Sequence, residues 1–195
     1  MVNQTAKSNG VINVSGRVLI GTGSCLGLLF ILAAPAAAQE KELPKVELFG
    51  GYSYLRSDGH ALNGWKVVVE GNVNSWLGIA ADFDGHYGSK STAHGVEKES
   101  EHSFTFGPHF ALRKKKLVPF AYTLFGVARE NLTLGGVSES AYGFSTELGG
   151  GLDYELNERM ALRLLDASAS STHINGVTHT KPKLAFGVVF NFGRK

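Results

Sequence analysis

Along most of this chain, large apolar residues recur at every second position, and the residues between them are small or charged. The clearest run is "KLAFGVVFNFGRK", where Leu184, Phe186, Val188, Phe190 and Phe192 share one face and Ala185, Gly187, Val189 and Asn191 the other. Period-2 alternation of this kind predicts a strand. Seven earlier runs repeat it. "VELFGGYSYLR" sets Val46, Leu48, Tyr52 and Tyr54 against Glu47, Gly51 and Ser53; "GWKVVVEGNV" sets Trp65, Val67, Val69 and Val73 against Lys66, Glu70 and Asn72. "WLGIAADFD" sets Leu77, Ile79, Ala81 and Phe83 against Gly78, Ala80, Asp82 and Asp84. "HSFTFGPHFALR" sets Phe104, Phe106, Phe110 and Leu112 against Ser103, Thr105, Gly107, His109 and Arg113.

In the fifth run, "VPFAYTLFGVAR", Phe120, Tyr122 and Leu124 oppose Ala121, Thr123 and Arg129, with Phe125 and Val127 blurring the contrast. "AYGFSTELGGGLDY" opposes Phe144, Leu148, Leu152 and Tyr154 to Gly143, Ser145, Glu147, Gly149, Gly151 and Asp153. "MALRLLDAS" is the weakest, with Met160, Leu162 and Leu164 opposite Ala161 and Arg163. No stretch after Ala38 keeps a helical apolar period for three turns. Links at 72–75, 114–117 and 155–159 read as tight turns, and those at 57–63, 85–101, 130–140 and 168–181 as longer polar loops. Short and long links in alternation, joining an even number of strands, predict an up-and-down barrel of the outer-membrane type, with turns on the periplasmic side and loops outside.

Which row faces inward follows from size. Eight strands enclose a bore that side chains alone can fill. The small and charged row is therefore expected inside, and the Phe and Tyr row outside, with lipid as its solvent. A soluble carrier barrel would show the opposite arrangement.

The same segments resemble the small eight-stranded outer-membrane barrels of the OmpA and OmpX kind, a porin-family β-barrel domain. The resemblance rests on "ELFGGYSY", "GNVNSWLGIAADF", "FTFGPHF", "PFAYTLFG", "LGGGLDYEL" and "GVVFNFG", and it covers about Val46 to Gly193. It implies an all-β, closed, antiparallel eight-stranded transmembrane barrel in the cell outer membrane, in contact with outer-membrane lipids. It also implies recognition of the C-terminal strand by the barrel-assembly machinery, although Gly193, Arg194 and Lys195 follow Phe192 where the family usually ends on an aromatic. Such barrels serve as adhesins, envelope anchors or narrow channels.

The N-terminus supports export. Lys7 and Arg17 precede "VLIGTGSCLGLLFILAAPAAAQE", an apolar stretch that ends in small residues. This pattern reads as a secretory signal over residues 1–38, cleaved between Ala38 and Gln39, with the barrel domain over 39–195. A retained anchor is the alternative. Cys25 lacks the residues of a lipoprotein site and would leave with the signal. Without Lys7 and Arg17, 17 basic residues balance 17 acidic ones, so nothing points to nucleic acid.

The expected inner row carries Glu47, Glu70, Asp82, Asp84, Glu147 and Asp153 with Lys66, Arg113, Arg129, Arg163 and Lys183. Acids and bases are interleaved, and buried charges must pair. A salt-bridge plug is expected, with Glu47, Glu70, Asp153, Arg113 and Arg163 pairing in the periplasmic half. A conductive path is the alternative. His60, His86, His94, His102, His173 and His179 read as solvated loop residues, as do Glu97, Glu99 and Glu101; metal capture is the alternative, but no pair has the i, i+2 or i, i+4 spacing of a pre-formed site. "RKKK" at Arg113 to Lys116 reads as a turn near anionic headgroups. Pro108 predicts a bulge, and Gly149, Gly150 and Gly151 a bend or close packing. No Ser is expected two residues from any His along a lipid-facing row, so no catalytic pair, cofactor or metal site is assigned. The expected role is an envelope-structural or surface-interaction protein, not an enzyme, with a possible extracellular ligand held by the loops, the longest of which is 85–101. The alternatives are a narrow channel for small solutes and, further off, a lipid-modifying enzyme.

Overall fold

The computed structural model describes residues 43–57, 60–92, 95–174 and 176–194. The signal over 1–38 and its cleavage point at Ala38 and Gln39 lie outside them. The described residues form eight strands: β1 (Pro44–Ser57), β2 (His60–Asn72), β3 (Leu77–Thr92), β4 (Gly95–Ala111), β5 (Leu117–Leu134), β6 (Val137–Asn157), β7 (Met160–Ile174) and β8 (Val177–Arg194). Each pairs antiparallel with the next, and β1 pairs with β8, from Pro44 against Arg194 to Leu55 against Lys183. The result is a closed all-β barrel with no helix among the described residues.

Alternation sets which side of the wall each residue occupies. Glu47, Phe49, Ser53 and Leu55 of β1 point inward and are buried, while Val46 and Tyr52 between them are exposed. Around the barrel the outward row carries Trp65, Ile79, Phe83, Phe104, Phe106, Phe110, Phe125, Phe144, Leu148 and Phe186, all exposed. Neighbouring rings meet across strands, as Phe83 does Phe104 (4.6 Å) and Tyr52 does Phe186 (5.3 Å). A contiguous apolar girdle of this extent has no place in water and matches the hydrocarbon band of a bilayer.

The strands are 13 to 21 residues long, well beyond the ~10 that a tilted strand needs to cross the hydrocarbon. The surplus lies at the end holding the β1–β2, β3–β4, β5–β6 and β7–β8 links, here called the hairpin end. The segments read as long loops, 85–101 among them, are in fact arms of continuous hairpins. Asp84 to Thr92 pairs with Ser103 to Gly95, and Arg129 to Leu134 with Tyr142 to Val137. Expected short–long alternation of links is therefore replaced by short links between strand ends on both sides. Gly135 and Gly136, both at positive φ (58° and 87°), close the β5–β6 hairpin in the conformation a two-residue turn requires. At the opposite, turn end, the Asn74 side chain accepts the Trp76 and Leu77 amides at 2.9 Å each and fixes the β2–β3 link.

Three further expectations change. In β5 the faces are reversed. Phe120, Tyr122 and Leu124 are buried in the lumen, whereas Phe125 and Val127 are outside with Arg129. Pro108 causes no bulge, because β4 keeps one register on both sides of it. The bulges fall at Leu152/Asp153 and Glu155/Asn157 in the β6–β7 ladder, and between Arg163 and Asp166 in β7–β8. The last of these places Leu164 and Leu165 both outward and brings Asp166 into the lumen.

Candidate functional site

The charged side chains of the inner row gather in three levels along the bore. At the turn end, Arg113 donates to Glu47 (2.7 Å), to the Asn72 side-chain oxygen (2.9 Å) and to Glu70 (3.3 Å). Asn72 in turn donates to Glu47 at 2.7 Å, and His109 Nδ1 lies 3.0 Å from Glu70. This one guanidinium ties β1 and β2 to the end of β4. Lys114 to Lys116, the rest of the basic turn, are exposed.

The middle level is the most buried. Lys66 Nζ lies 3.0 Å from Asp82, 3.0 Å from Glu147 and 3.4 Å from Asp166. Lys183 donates to Asp84 and, at 2.9 Å, to Glu147. Glu147 also accepts the Tyr122 hydroxyl (3.1 Å) and the Ser168 hydroxyl (2.8 Å), and Tyr122 reaches Asp166 at 2.7 Å. Arg163 clamps Asp153 with two bonds of 2.8 and 2.9 Å, and its guanidinium lies between the Phe49 and Phe120 rings, 4.5 and 4.1 Å from their centroids. Such a fork suits a carboxylate, and the flanking rings add cation–π attraction. Oxygens of Asp82, Asp84 and Glu147 lie within 4.8 Å of one another, a spacing a cation could bridge. The Lys66 and Lys183 ammonium groups already lie among them.

Near the hairpin end, Lys181 donates to Glu101 (2.7 Å) and Glu130 (2.9 Å). Beside it, Glu99 accepts the Ser57 hydroxyl at 2.8 Å and faces His60 Nε2 at 2.7 Å. Below them, His86 bonds Ser53 (2.8 Å), and Ser103 donates to Asp84 (2.8 Å).

All ten inner-row charges other than Arg129 thus point into the bore. Arg129 is on the outside, as the reversal of β5 requires. Sequence reasoning missed Asp166, Tyr122, Lys181, Glu101 and His86 as members of the network. Glu101 and His86 are fully buried rather than solvated loop residues. The one signal that could have found them is parity: His86 and Glu101 continue the inner rows of Asp84 and Ser103. His102 is outside and bonds the Tyr87 hydroxyl at 2.8 Å. Ser100 lies two residues away on the same outward row, but it accepts from Asn131 (3.4 Å), and no carboxylate backs His102 among the described residues.

The closed lipid-girdled wall and its charged bore define an outer-membrane barrel. The sequence matches the outer membrane protein beta-barrel domain family over residues 24–192, and the chain belongs to that family. Among solved structures it is similar to Ail, the attachment invasion locus protein of Yersinia pestis. Identity is 19%, coverage is 78% of this chain and all of Ail, and the TM-score is 0.53. It is also similar to Neisserial surface protein A, at 15% identity over 75% of this chain and 96% of that one, with a TM-score of 0.54. At these identities the likeness is one of fold. No curated protein matches the sequence. The protein is an eight-stranded barrel of the outer membrane.

Proposed function

We propose that this protein is a closed-bore envelope protein whose role is structural or surface-interacting, exercised outward through the hairpin end. It is exported by the 1–38 signal, cleaved after Ala38, and its domain of 39–195 is inserted by the assembly machinery through β8. The observation that carries this reading is the middle level of the bore. Lys66 and Lys183 meet carboxylates from β3, β6 and β7 there, with the Tyr122 hydroxyl on Lys66 and Arg163 beside Asp166. A solute would have to break several buried ion pairs at once, at about 3–5 kcal/mol for each one severed. Among the described residues Ser100 and His102, and Ser171 and His173, share outward rows, but each side chain bonds a polar neighbour and no carboxylate is paired with either imidazole, which supports a non-enzymatic role. With the bore filled and the girdle generic, specificity falls to the extended hairpins. Ail, which shares the fold, has been solved with the heparin analogue sucrose octasulfate.

A narrow channel is the second reading. It is favoured by Thr105, Ser145 and Ser170, whose inward hydroxyls are buried and have no protein partner among the described residues. Liposome swelling separates the two. The closed-bore reading expects vesicles holding the protein to swell in an isosmotic pentose solution no faster than empty ones. Swelling that tracks protein content would make it a channel. Shortening the β3–β4 hairpin by removing 90–98 should leave a heat-modifiable barrel that no longer binds at the surface; if conductance rises instead, that hairpin is a gate.

A further inference from the structure

The outer wall of β4, β5 and β6 changes character within three successive cross-strand rows. Phe104, Val127 and Phe144 form one row and belong to the apolar girdle. The next row toward the hairpin end is His102, Arg129 and Tyr142, and the one after it is Ser100, Asn131 and Ser140. Rows two residues apart are roughly 6–7 Å apart along a strand, so the Arg129 row lies where hydrocarbon gives way to headgroups. Ser100, His102, Arg129, Asn131 and Ser140 of these rows, with Thr133 and Ser138 of the row above, line an open groove of about 550 Å³ on the barrel's outside.

Arg129 is held at the groove's centre. Its guanidinium stacks on the Tyr142 ring, 5.3 Å from the centroid, and donates to Asn131 (3.1 Å) and Ser140 (3.3 Å). It has no ion-pair partner among the described residues. Of the acids on these strand segments, Glu99, Glu101 and Glu130 occupy inward positions within reach of Lys181, and Glu97 and Glu139 share that inward parity nearer the tip. Lys98, exposed on the outward row of β4, adds a second cation above the groove. On β4 and β5 charge is thus sorted by face, with Glu99, Glu101 and Glu130 toward the mouth and Lys98 and Arg129 on the wall.

We propose that this groove seats a phosphorylated lipid headgroup of the outer leaflet, with Arg129 as the phosphate-binding residue and His102, Asn131 and Ser140 as its hydrogen-bonding surround. A guanidinium presents a fork that matches phosphate oxygens. A girdle one row below holds the acyl chains of the same molecule, which a soluble anion would not use. This goes beyond the closed-bore reading and does not depend on it, since it concerns the outer wall alone; it shares with it only the outward placing of the hairpin end.

The test uses membrane-extracted protein in neutral phosphocholine bicelles, titrated with diphosphorylated lipid A or its dephosphorylated form, with bound glycolipid read by native mass spectrometry. Wild type should bind the diphosphorylated form about tenfold more tightly, the span of one charge-assisted hydrogen bond. Arg129→Gln should erase the difference, Arg129→Lys should restore part of it, and Arg159→Gln at the turn end should leave it intact. Asn131→Asp, which neutralises Arg129 in place, should lose it as well and gives a second variant should Arg129→Gln fail to become heat-modifiable. Equal binding of the two lipids by wild type, or wild-type discrimination retained by Arg129→Gln and Asn131→Asp, would overturn the proposal. So would inositol hexakisphosphate displacing the lipid at equal concentration, which would make the site one for soluble anions.

Discussion

Lys66 Nζ of β2 lies 3.0 Å from Glu147 Oε1 of β6, and these two strands stand on opposite walls of the eight-stranded ring. The contact therefore spans the whole bore. Both side chains are almost fully buried, so neither charge can fall back on water. A wall-to-wall ion pair at mid-height ties strands that share no backbone bonds, and it converts a tube into a filled cylinder.

Replacing Glu147 with Ala should be among the most damaging changes in the lumen. It removes the acceptor of Lys66, Lys183, Tyr122 and Ser168 together. Lys66 would keep Asp82 and Asp166, and Lys183 would keep Asp84, but each loses one charged acceptor and two hydroxyls lose theirs, at a cost of about 1–3 kcal/mol. Urea unfolding in vesicles, followed by Trp65 and Trp76 fluorescence, should show the midpoint fall accordingly. Lys66→Met combined with Glu147→Leu should recover part of the loss, because no charge of that pair is then stranded.

The sequence shows this network where one row is bulky and the other is not. Glu47, Lys66, Asp82, Asp84, Glu147 and Lys183 each have at least one large apolar residue beside them, and lipid outside leaves only one orientation for them. β5 defeats the same reasoning because both of its rows are apolar. Its inward choice, Phe120, Tyr122 and Leu124, is made by β6, where glycines leave room for the rings; this complementarity is between strands and has no local period. Asp166 was hidden by a bulge, which shifts parity by one residue. Lys181, Glu101 and His86 were hidden because the hairpin arms meet water on their outer face. Polar then alternates with polar, and hydropathy carries no signal.

The reversal of β5 can be tested through lipid. Phe125 is exposed within the girdle, while Leu124 beside it is buried in the lumen. Phe125→Arg should cost about 2–4 kcal/mol, the range for a cation placed on a lipid-facing wall near mid-depth. Phe125→Leu should cost far less. If Phe125→Arg proves harmless in vesicle unfolding, the outward placing of this row is wrong.

Room for the inner rings depends on glycine. A Cβ on Gly149 would meet the Tyr122 ring at 2.6 Å, and one on Gly151 would meet the Phe120 ring at the same distance. Gly50, on the outward row, has open space around it. Gly149→Ala should therefore destabilise the barrel by about 1–3 kcal/mol through overpacking and shift Tyr122 away from Asp166. Gly50→Ala should be near neutral in the same unfolding assay.

Lys181 does for the mouth what Lys66 does for the centre, since β8 faces β4 across the ring and Lys181 meets Glu101 of β4 at 2.7 Å. It also holds Glu130 of β5 and lies 3.6 Å from Glu99. Lys181→Met would leave three carboxylates facing one another with only His60 and Ser57 to oppose them, both at Glu99. Glu101 is fully buried and has no other cation among the described residues, so loss of the tie should let the β7–β8 hairpin part from β3–β4 while repulsion loosens β4 against β5. Opening there should be local, because the middle level remains intact and small-scale unfolding follows the weakest contacts. Hydrogen exchange should speed up at amides 86–102 and 168–181 while those near Lys66 and Glu147 stay protected. Equal acceleration in both regions would mean that mouth and centre open as one unit, and the division of the bore into separate levels would fall.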